Sequence, residues 1–264
     1  MMRRNPPELP IPKSLTMYHA SPLEYEPSIL SKGIVPSGPE RYVVIERDVL
    51  GLFKVESLEE AQEKLGRNTF RKLIKALANL WSRFEMTEGV VYVSGGWSYA
   101  IQNCMGGYEV YGYILQYFPK LKVPREPVGK FWKVFRTPPG ISPPVSLAEH
   151  KAVGDSTPDW PVCTLYTLDV PWKALPEKAQ AQFLRVRNSF LGDGPIKREV
   201  LADMFDEWVG EKRYALKGLP DSPLAQANMF AGMFGLQEAR IERAIPKSWI
   251  KDCYRVPAQS LGWR

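Results

Sequence analysis

Proline is the residue that most constrains how this chain can fold. Of the 24 prolines in 264 residues, 11 lie between Pro119 and Pro176. Because proline has no backbone N–H and a fixed φ, it is excluded from helix interiors and from central strands. The interval is therefore predicted to be irregular and proline-punctuated rather than a flexible linker, with one strand-like run inside it at 162–170.

Regular elements are predicted on both sides of this interval. β-rich runs predict strands at 16–20, 89–94, 110–118 and 162–170. Capping signals and apolar residues at helical spacing predict helices at 27–34, 57–66, 70–84, 98–104, 177–190, 197–209 and 223–234. We expect an α+β protein with one domain over 1–264. Within it, 1–13 is a proline-rich leader and 119–234 is a large proline-rich and helical insertion.

The charge and hydropathy of the chain limit the classes of partner that it can have. Lys and Arg number 35 against 29 Asp and Glu, so the formal net charge is +6. The basic residues are scattered, so nucleic-acid binding is permitted but not indicated. No apolar run reaches the roughly 18–20 residues of a membrane span, and none follows the charged N-terminus as in a Sec signal peptide. We expect no membrane partner and a cytoplasmic protein, or one delivered into a host cytoplasm by another route.

Several common binding and catalytic motifs are missing from the sequence. Three cysteines and two histidines, without a CxxC pair, predict no metal site and no disulfide framework. Rossmann, P-loop and GxSxG signatures are also missing. Gly95-Gly96 after a strand more often makes a turn than a phosphate cradle. Cys104 with His19 is a weak nucleophile pair, because cysteine is usually a small buried apolar residue.

Three groups of short segments nevertheless form a pattern along the chain. The first is Met17-Tyr18-His19-Ala20-Ser21 with Ile29-Leu30-Ser31-Lys32-Gly33-Ile34. The second is Gly89-Val90-Val91-Tyr92-Val93-Ser94, Ser98-Tyr99-Ala100 and the predicted strand Tyr111-Gly112-Tyr113-Ile114-Leu115. The third is Glu238-Ala239-Arg240-Ile241 with Ile245-Pro246-Lys247-Ser248-Trp249-Ile250.

Taken together, these segments resemble the ADP-ribosyltransferase superfamily, in its His-Tyr-Glu branch of diphtheria-like toxins and poly(ADP-ribose) polymerases. That branch opens with Tyr-His-Gly-Ser/Thr and then Ile-Leu-x-x-Gly-Leu. A Gly-x-x-Tyr strand, a Ser-x-Ala helix and a further strand follow, and a glutamate precedes an Ile-Pro element near the C-terminus. The resemblance covers under half of the chain, and 40–88 and 119–234 have no counterpart. It implies a split β-sandwich with inserted and flanking helices.

The resemblance also implies a site and a reaction. Glu238 would be the catalytic carboxylate that stabilises an oxocarbenium-like state when the nicotinamide–ribose bond of NAD breaks. Tyr92 would stack on the cationic nicotinamide ring, and His19 would hydrogen-bond a ribose hydroxyl. The remaining cofactor-binding positions implied are Ala20, Ser21, Ser94 and Tyr99. NAD is thus the expected substrate, with ADP-ribose passing to a macromolecular acceptor, a protein rather than a nucleic acid.

The chain departs from the family pattern at three places. Ala20 replaces the usual glycine beside the nicotinamide amide. Leu236 stands two residues before Glu238, where arginine-modifying members have Gln or Glu, so an arginine acceptor is disfavoured. The second tyrosine of the polymerase-like members is missing. Trp97 or Tyr99 would have to supply the second aromatic wall of the nicotinamide site.

Two other functions remain open from the sequence alone. A binding or structural module that keeps the fold without turnover would explain Ala20 and the missing tyrosine. A nucleic-acid-modifying member of the same fold would suit the basic charge and the aromatic and basic residues of 130–136, although that run is more typical of a core element.

Overall fold

The computed structural model describes residues 10–36, 40–105, 107, 109–123, 161–193 and 222–257. Its strands are β1 (Ser14–Ser21), β2 (Val91–Val93), β3 (Pro161–Pro171), β4 (Ala239–Ile241) and β5 (Ile250–Pro257). Its α-helices are α1 (Glu26–Lys32), α2 (Glu40–Leu52), α3 (Leu58–Lys64), α4 (Arg67–Thr87), α5 (Trp97–Met105), α6 (Glu109–Tyr117), α7 (Glu177–Asn188) and α8 (Pro223–Phe230). One π-helical turn follows each of α7 and α8, at Ser189–Asp193 and Ala231–Gly235.

In the described part of the chain, the strands form two antiparallel sheets, which an isolated bridge joins. One sheet has the order β1-β3-β5 and the other is the pair β2-β4. The bridge joins Tyr18 to Ser94 through two backbone hydrogen bonds of 2.7 and 2.8 Å. Helices and antiparallel sheets therefore share one fold, which confirms the predicted α+β class.

The core is divided into clusters by the sheets and helices. The largest cluster lies among the strands and α7, and it contains fully buried Met17, Tyr166, Leu168 and Phe183. A second packs α5 against β1 and β3, and a third is made by α2, α3, α4 and α6. In the described part of the chain, no helix has the length and apolarity that a membrane crossing requires.

Local signals in the sequence placed several elements correctly. The Ser57 hydroxyl accepts a hydrogen bond from the Glu60 N–H at 3.1 Å and caps α3, and Ser222 caps α8 in the same way. Gly33 ends α1 with φ +89°, and a Cβ there would collide with the backbone of 245–247. The strand predicted at 162–170 is β3.

The strand predicted at 110–118 is wrong, because Glu109–Tyr117 form helix α6. Val110, Tyr111 and Ile114 are buried on one face of this helix and pack with Leu73 and Leu77 of α4. The tyrosines and β-branched residues that suggested a strand thus serve equally well in a helix, and packing decides between the two. Helix α2 was not predicted at all.

Other predicted regions lie outside the described residues. These are the helix at 197–209, residues 1–9 of the leader, and residues 124–160 and 194–221 of the 119–234 insertion.

Candidate functional site

A cleft of about 430 Å³ opens where β1 and β2 diverge beyond the Tyr18–Ser94 bridge. The end of β1, the start of β2, α1 and one face of α5 form its walls. Of the residues that the sequence predicted for the site, this cleft brings together His19, Ala20, Ser21 and Tyr92. Its volume lies within the range of small-molecule sites, roughly 300–1,000 Å³.

His19 spans the gap between the two diverging strands. Its Nδ1 lies 2.8 Å from the carbonyl oxygen of Tyr92. Because a carbonyl can only accept, Nδ1 must carry the proton, and in the neutral ring Nε2 is then an acceptor. Burial lowers the pKa of His19, and the hydrogen bond to Tyr92 opposes this only in part. The cleft therefore contains a neutral imidazole with a fixed tautomer.

The Tyr92 ring lines the cleft and already contacts a cation. Arg240 lies directly opposite Tyr92 in the β2–β4 pair, and its guanidinium carbon is 5.5 Å from the centre of the ring. This distance is within the range for a cation–π interaction. The Tyr92 ring thus already has a planar cation of the protein itself against it.

Ala20 and Ser21 close the end of β1. The Ala20 side chain is buried and packs with Trp97 and Ala100 beneath α5. Ser21 is also buried, and its hydroxyl donates to the carbonyl of Pro22 at 3.2 Å.

Glu238 lies outside the lining of the cleft, on the neighbouring strand pair. It immediately precedes β4, and it is exposed, as is Arg240, while Ala239 between them is buried. Because Val93 pairs with Ala239, the backbone of Glu238 falls at the same end of the β2–β4 pair as Ser94.

Ser94 anchors the turn that carries Glu238. Its buried hydroxyl contacts the carbonyl of Leu236 at 3.5 Å and accepts a hydrogen bond from the Gly96 N–H at 3.1 Å. The Gly95 N–H donates to the same Leu236 carbonyl at 2.7 Å. A Cβ on Gly95 would collide with the carbonyl of Gly232. Gly95 therefore makes room for another part of the backbone rather than for a phosphate.

Tyr99 contacts this turn as well and is not part of the cleft lining. Its hydroxyl accepts a hydrogen bond from the Gln237 side-chain amide at 3.0 Å. Burial raises the pKa of Tyr99, and the hydrogen bond from Gln237 partly offsets this. Tyr99 thus holds the residue beside Glu238.

The structure adds site residues that the sequence prediction missed. Tyr42 and Asn103 line the cleft, and the buried Nδ2 of Asn103 has no hydrogen-bond partner in the described part of the chain. Ala100, Asn103 and Cys104 share one face of α5 at i, i+3 and i+4, a spacing that could have indicated them. Cys104 shares the cleft with His19 but is buried in an apolar cluster, as expected of a small core residue.

The described residues contain no group of three or more His, Cys, Asp or Glu side chains arranged to hold a metal ion.

Comparison of the chain with protein-family models, curated proteins and solved structures finds no match.

Proposed function

We propose that this chain is an NAD-dependent mono-ADP-ribosyltransferase with a split β-sandwich fold, which transfers ADP-ribose to a macromolecular acceptor in the cytoplasm. The observation that carries the proposal is the pairing of His19 with Tyr92 in one cleft. A neutral imidazole whose Nε2 is an acceptor and an aromatic ring already in contact with a cation are the two groups that a nicotinamide riboside would need. Two antiparallel sheets joined by one bridge support the fold, while helix α6 departs from the family pattern.

In this proposal the cleft holds the nicotinamide end of NAD. Nε2 of His19 accepts a hydrogen bond from a ribose hydroxyl, and the Tyr92 ring stacks on the nicotinamide. Arg240 would have to leave that face of the ring if the nicotinamide takes the same side. The unpaired amide of Asn103 is a further donor for a carbonyl or hydroxyl oxygen.

The chemical step would be carried by Glu238. The C1′–N bond breaks and its electron pair leaves with nicotinamide, so positive charge develops on the ribose. A carboxylate stabilises that charge most strongly in the transition state. The acceptor then forms a bond to C1′ and loses its proton, which Glu238 would receive. Since Glu238 is not part of the cleft lining, the proposal requires the ribose to lie at the cleft mouth.

The test measures nicotinamide released from NAD by the isolated protein and by Glu238→Gln. This substitution keeps the shape of the side chain and removes its charge. We expect the rate to fall about 10²–10⁴-fold while the NAD dissociation constant changes much less. Glu242→Gln, also exposed and four residues further on, serves as the matched control and should be nearly silent.

Two results would contradict the proposal. Equal losses from both variants would remove Glu238 from its assigned role. Binding of NAD without any nicotinamide release by the wild type would favour the non-catalytic binding module, which the contact of Arg240 with Tyr92 also suits. Residues 130–136, which suggested nucleic-acid modification, lie outside the described residues.

A further inference from the structure

One wall of the cleft has a cation of the protein against it. Arg240 lies directly opposite Tyr92 in the β2–β4 pair, and its guanidinium carbon is 5.5 Å from the centre of the Tyr92 ring. Tyr92 lines the cleft, whereas Arg240 does not. Arg240 is thus connected to the cleft through the ring that it contacts.

The pairing of the two strands holds Arg240 beside this ring. The strand residues on either side of both positions are buried, and these are Val91, Val93, Ala239 and Ile241. Because side chains alternate along a strand, Tyr92 and Arg240 share the other face of the pair. Side chains that are directly opposite each other on one face are close neighbours. The contact therefore follows from backbone register.

The positive charge of Arg240 has no paired carboxylate in the described part of the chain. Among the described residues its guanidinium forms no ion pair and no hydrogen bond, and its contact is the Tyr92 ring. Its acidic neighbours along the chain, Glu238 and Glu242, are both exposed. The charge is therefore not cancelled at the ring.

An aromatic ring that already has a cation against it is a weaker site for a second cation. Since Arg240 is not part of the cleft lining, a ligand held in the cleft need not displace it. A cationic ring stacked on Tyr92 would then share the tyrosine with the guanidinium, and the two positive charges repel each other. An uncharged ring of the same shape is spared this repulsion.

We propose that Arg240 is a specificity-determining residue that makes the cleft favour an uncharged over a positively charged nicotinamide ring. The inference rests on the proposed function, in which Tyr92 stacks on nicotinamide. The ring is a cation in NAD and becomes neutral when the electron pair of the C1′–N bond leaves with it. Arg240 therefore weakens the binding of the substrate ring but not that of the released product.

The experiment compares NAD with NADH, which has the same pyrophosphate and a neutral nicotinamide ring. Isothermal titration calorimetry gives both dissociation constants for the wild type and for Arg240→Gln, which removes the charge. Arg243→Gln is the matched control. Arg243 is an exposed arginine of the same segment, and its guanidinium carbon lies 5.7 Å from the ring centre of Trp249, which does not line the cleft. This control corrects for the loss of one positive charge near a dinucleotide anion, and circular dichroism monitors folding.

We expect Arg240→Gln to bind NAD about 2–5-fold more tightly, relative to NADH, than the wild type does. Arg243→Gln should keep the wild-type ratio of the two dissociation constants. Arg240→Lys, which keeps the charge, should keep that ratio as well.

Several results would overturn the role of Arg240 and leave the transferase proposal intact. These are an unchanged or opposite shift of the ratio in folded Arg240→Gln, equal tightening of NAD and NADH, or the same shift in Arg243→Gln or Arg240→Lys. If the wild type binds neither NAD nor NADH, the proposed function is rejected, and the inference with it.

Discussion

At the scale of single residues, His19 is linked to Tyr92 through the Tyr92 backbone. The imidazole proton is held by the backbone carbonyl of Tyr92, so the tautomer does not depend on the tyrosine side chain. The ring of Tyr92 contacts Arg240 and takes no part in the hydrogen bond to His19. The two residues can therefore be tested separately.

Replacement of Tyr92 by alanine should weaken NAD binding by about 1–2 kcal/mol, which is roughly 5–30-fold in the dissociation constant. The loss comes from stacking and cation–π contact. The protein should stay folded, because the carbonyl that orients His19 is retained. Isothermal titration calorimetry measures the constant, and Tyr92→Phe, which keeps the ring, should stay close to wild type. Equal affinities of the alanine variant and the wild type would make Tyr92 a structural residue only.

At the scale of elements, the turn before β4 is positioned by close backbone contact. Gly95 packs against Gly232 and donates to Leu236, so the turn that carries Glu238 is coupled to the start of α5. The contact leaves no room for a side chain.

Gly95→Ala should therefore destabilise the protein by about 2–4 kcal/mol, because a Cβ collides with the Gly232 carbonyl. Gly51→Ala provides the opposite case. Gly51 lies in α2 and a Cβ there meets no atom within 4 Å, so the change should stabilise by about 0.5–1 kcal/mol. Urea unfolding measures both, and a neutral Gly95→Ala would show that the turn can move away.

An ion pair ties α1 to the β1-β3-β5 sheet. Arg255 donates two hydrogen bonds of 3.0 Å to the Glu26 carboxylate, and the Thr164 hydroxyl donates a third at 2.6 Å. The Arg255 hydrogen bonds lower the pKa of Glu26 most, and the Thr164 bond and the Arg255 charge lower it further against the opposing effect of burial. Glu26 thus stabilises the fold at neutral pH, and this contribution is lost as the pH falls through the lowered pKa.

Glu26→Gln should lower the free energy of unfolding by about 1 kcal/mol at pH 7, a modest value because Arg255 is 64% exposed. Asp169→Asn is the matched control. Asp169 has a hydrogen bond with Ser14 that lowers its pKa most, and it pairs with Lys251 at 3.4 Å between β3 and β5. Because both side chains of this ion pair are exposed, its loss should cost less than that of Glu26. A Glu26 variant as stable as the Asp169 variant would mean that the two hydrogen bonds from Arg255 to Glu26 add no stability beyond that of an exposed ion pair.

At the scale of the whole molecule, burial of His19 links folding to pH. Its pKa is lowered from the ordinary 6.5 in the folded chain, so below pH 6.5 the unfolded chain binds a proton that the folded chain does not. The free energy of unfolding should therefore fall as the pH drops below 6.5, until the lowered pKa is reached.

Denaturant unfolding at pH 7.5 and pH 5.5 tests this linkage. The wild type should lose stability over this interval, and His19→Gln should lose less. His150→Gln removes the other histidine of the chain. It should keep the wild-type change in the free energy of unfolding between the two pH values. If the His19 variant loses as much stability as the wild type between pH 7.5 and pH 5.5, the pH dependence comes from another group.

Short-range signals in the sequence were sufficient for several elements. The cap of Ser57 on Glu60, the stop at Gly33 and the Ser222 cap all depend on hydrogen bonds or backbone angles within four residues. The α+β class and the strand predicted at 162–170, which is Pro161–Pro171 in the structure, were inferred from the same local patterns. These features were predictable because each is decided inside a few residues of chain.

The tertiary structure decided the rest, because burial and register depend on distant partners. The run 109–117 is helical since its apolar face meets α4, and no neighbour in sequence reveals that. Tyr99 contacts Gln237 and Gly95 contacts Gly232 across more than 130 positions. Likewise, His19 and Tyr92 share a cleft only because β1 and β2 meet at one bridge and then separate. Residue types at the proposed site were readable from the sequence, but only the packing of the strands shows that His19 and Tyr92 line the cleft and that Glu238 does not.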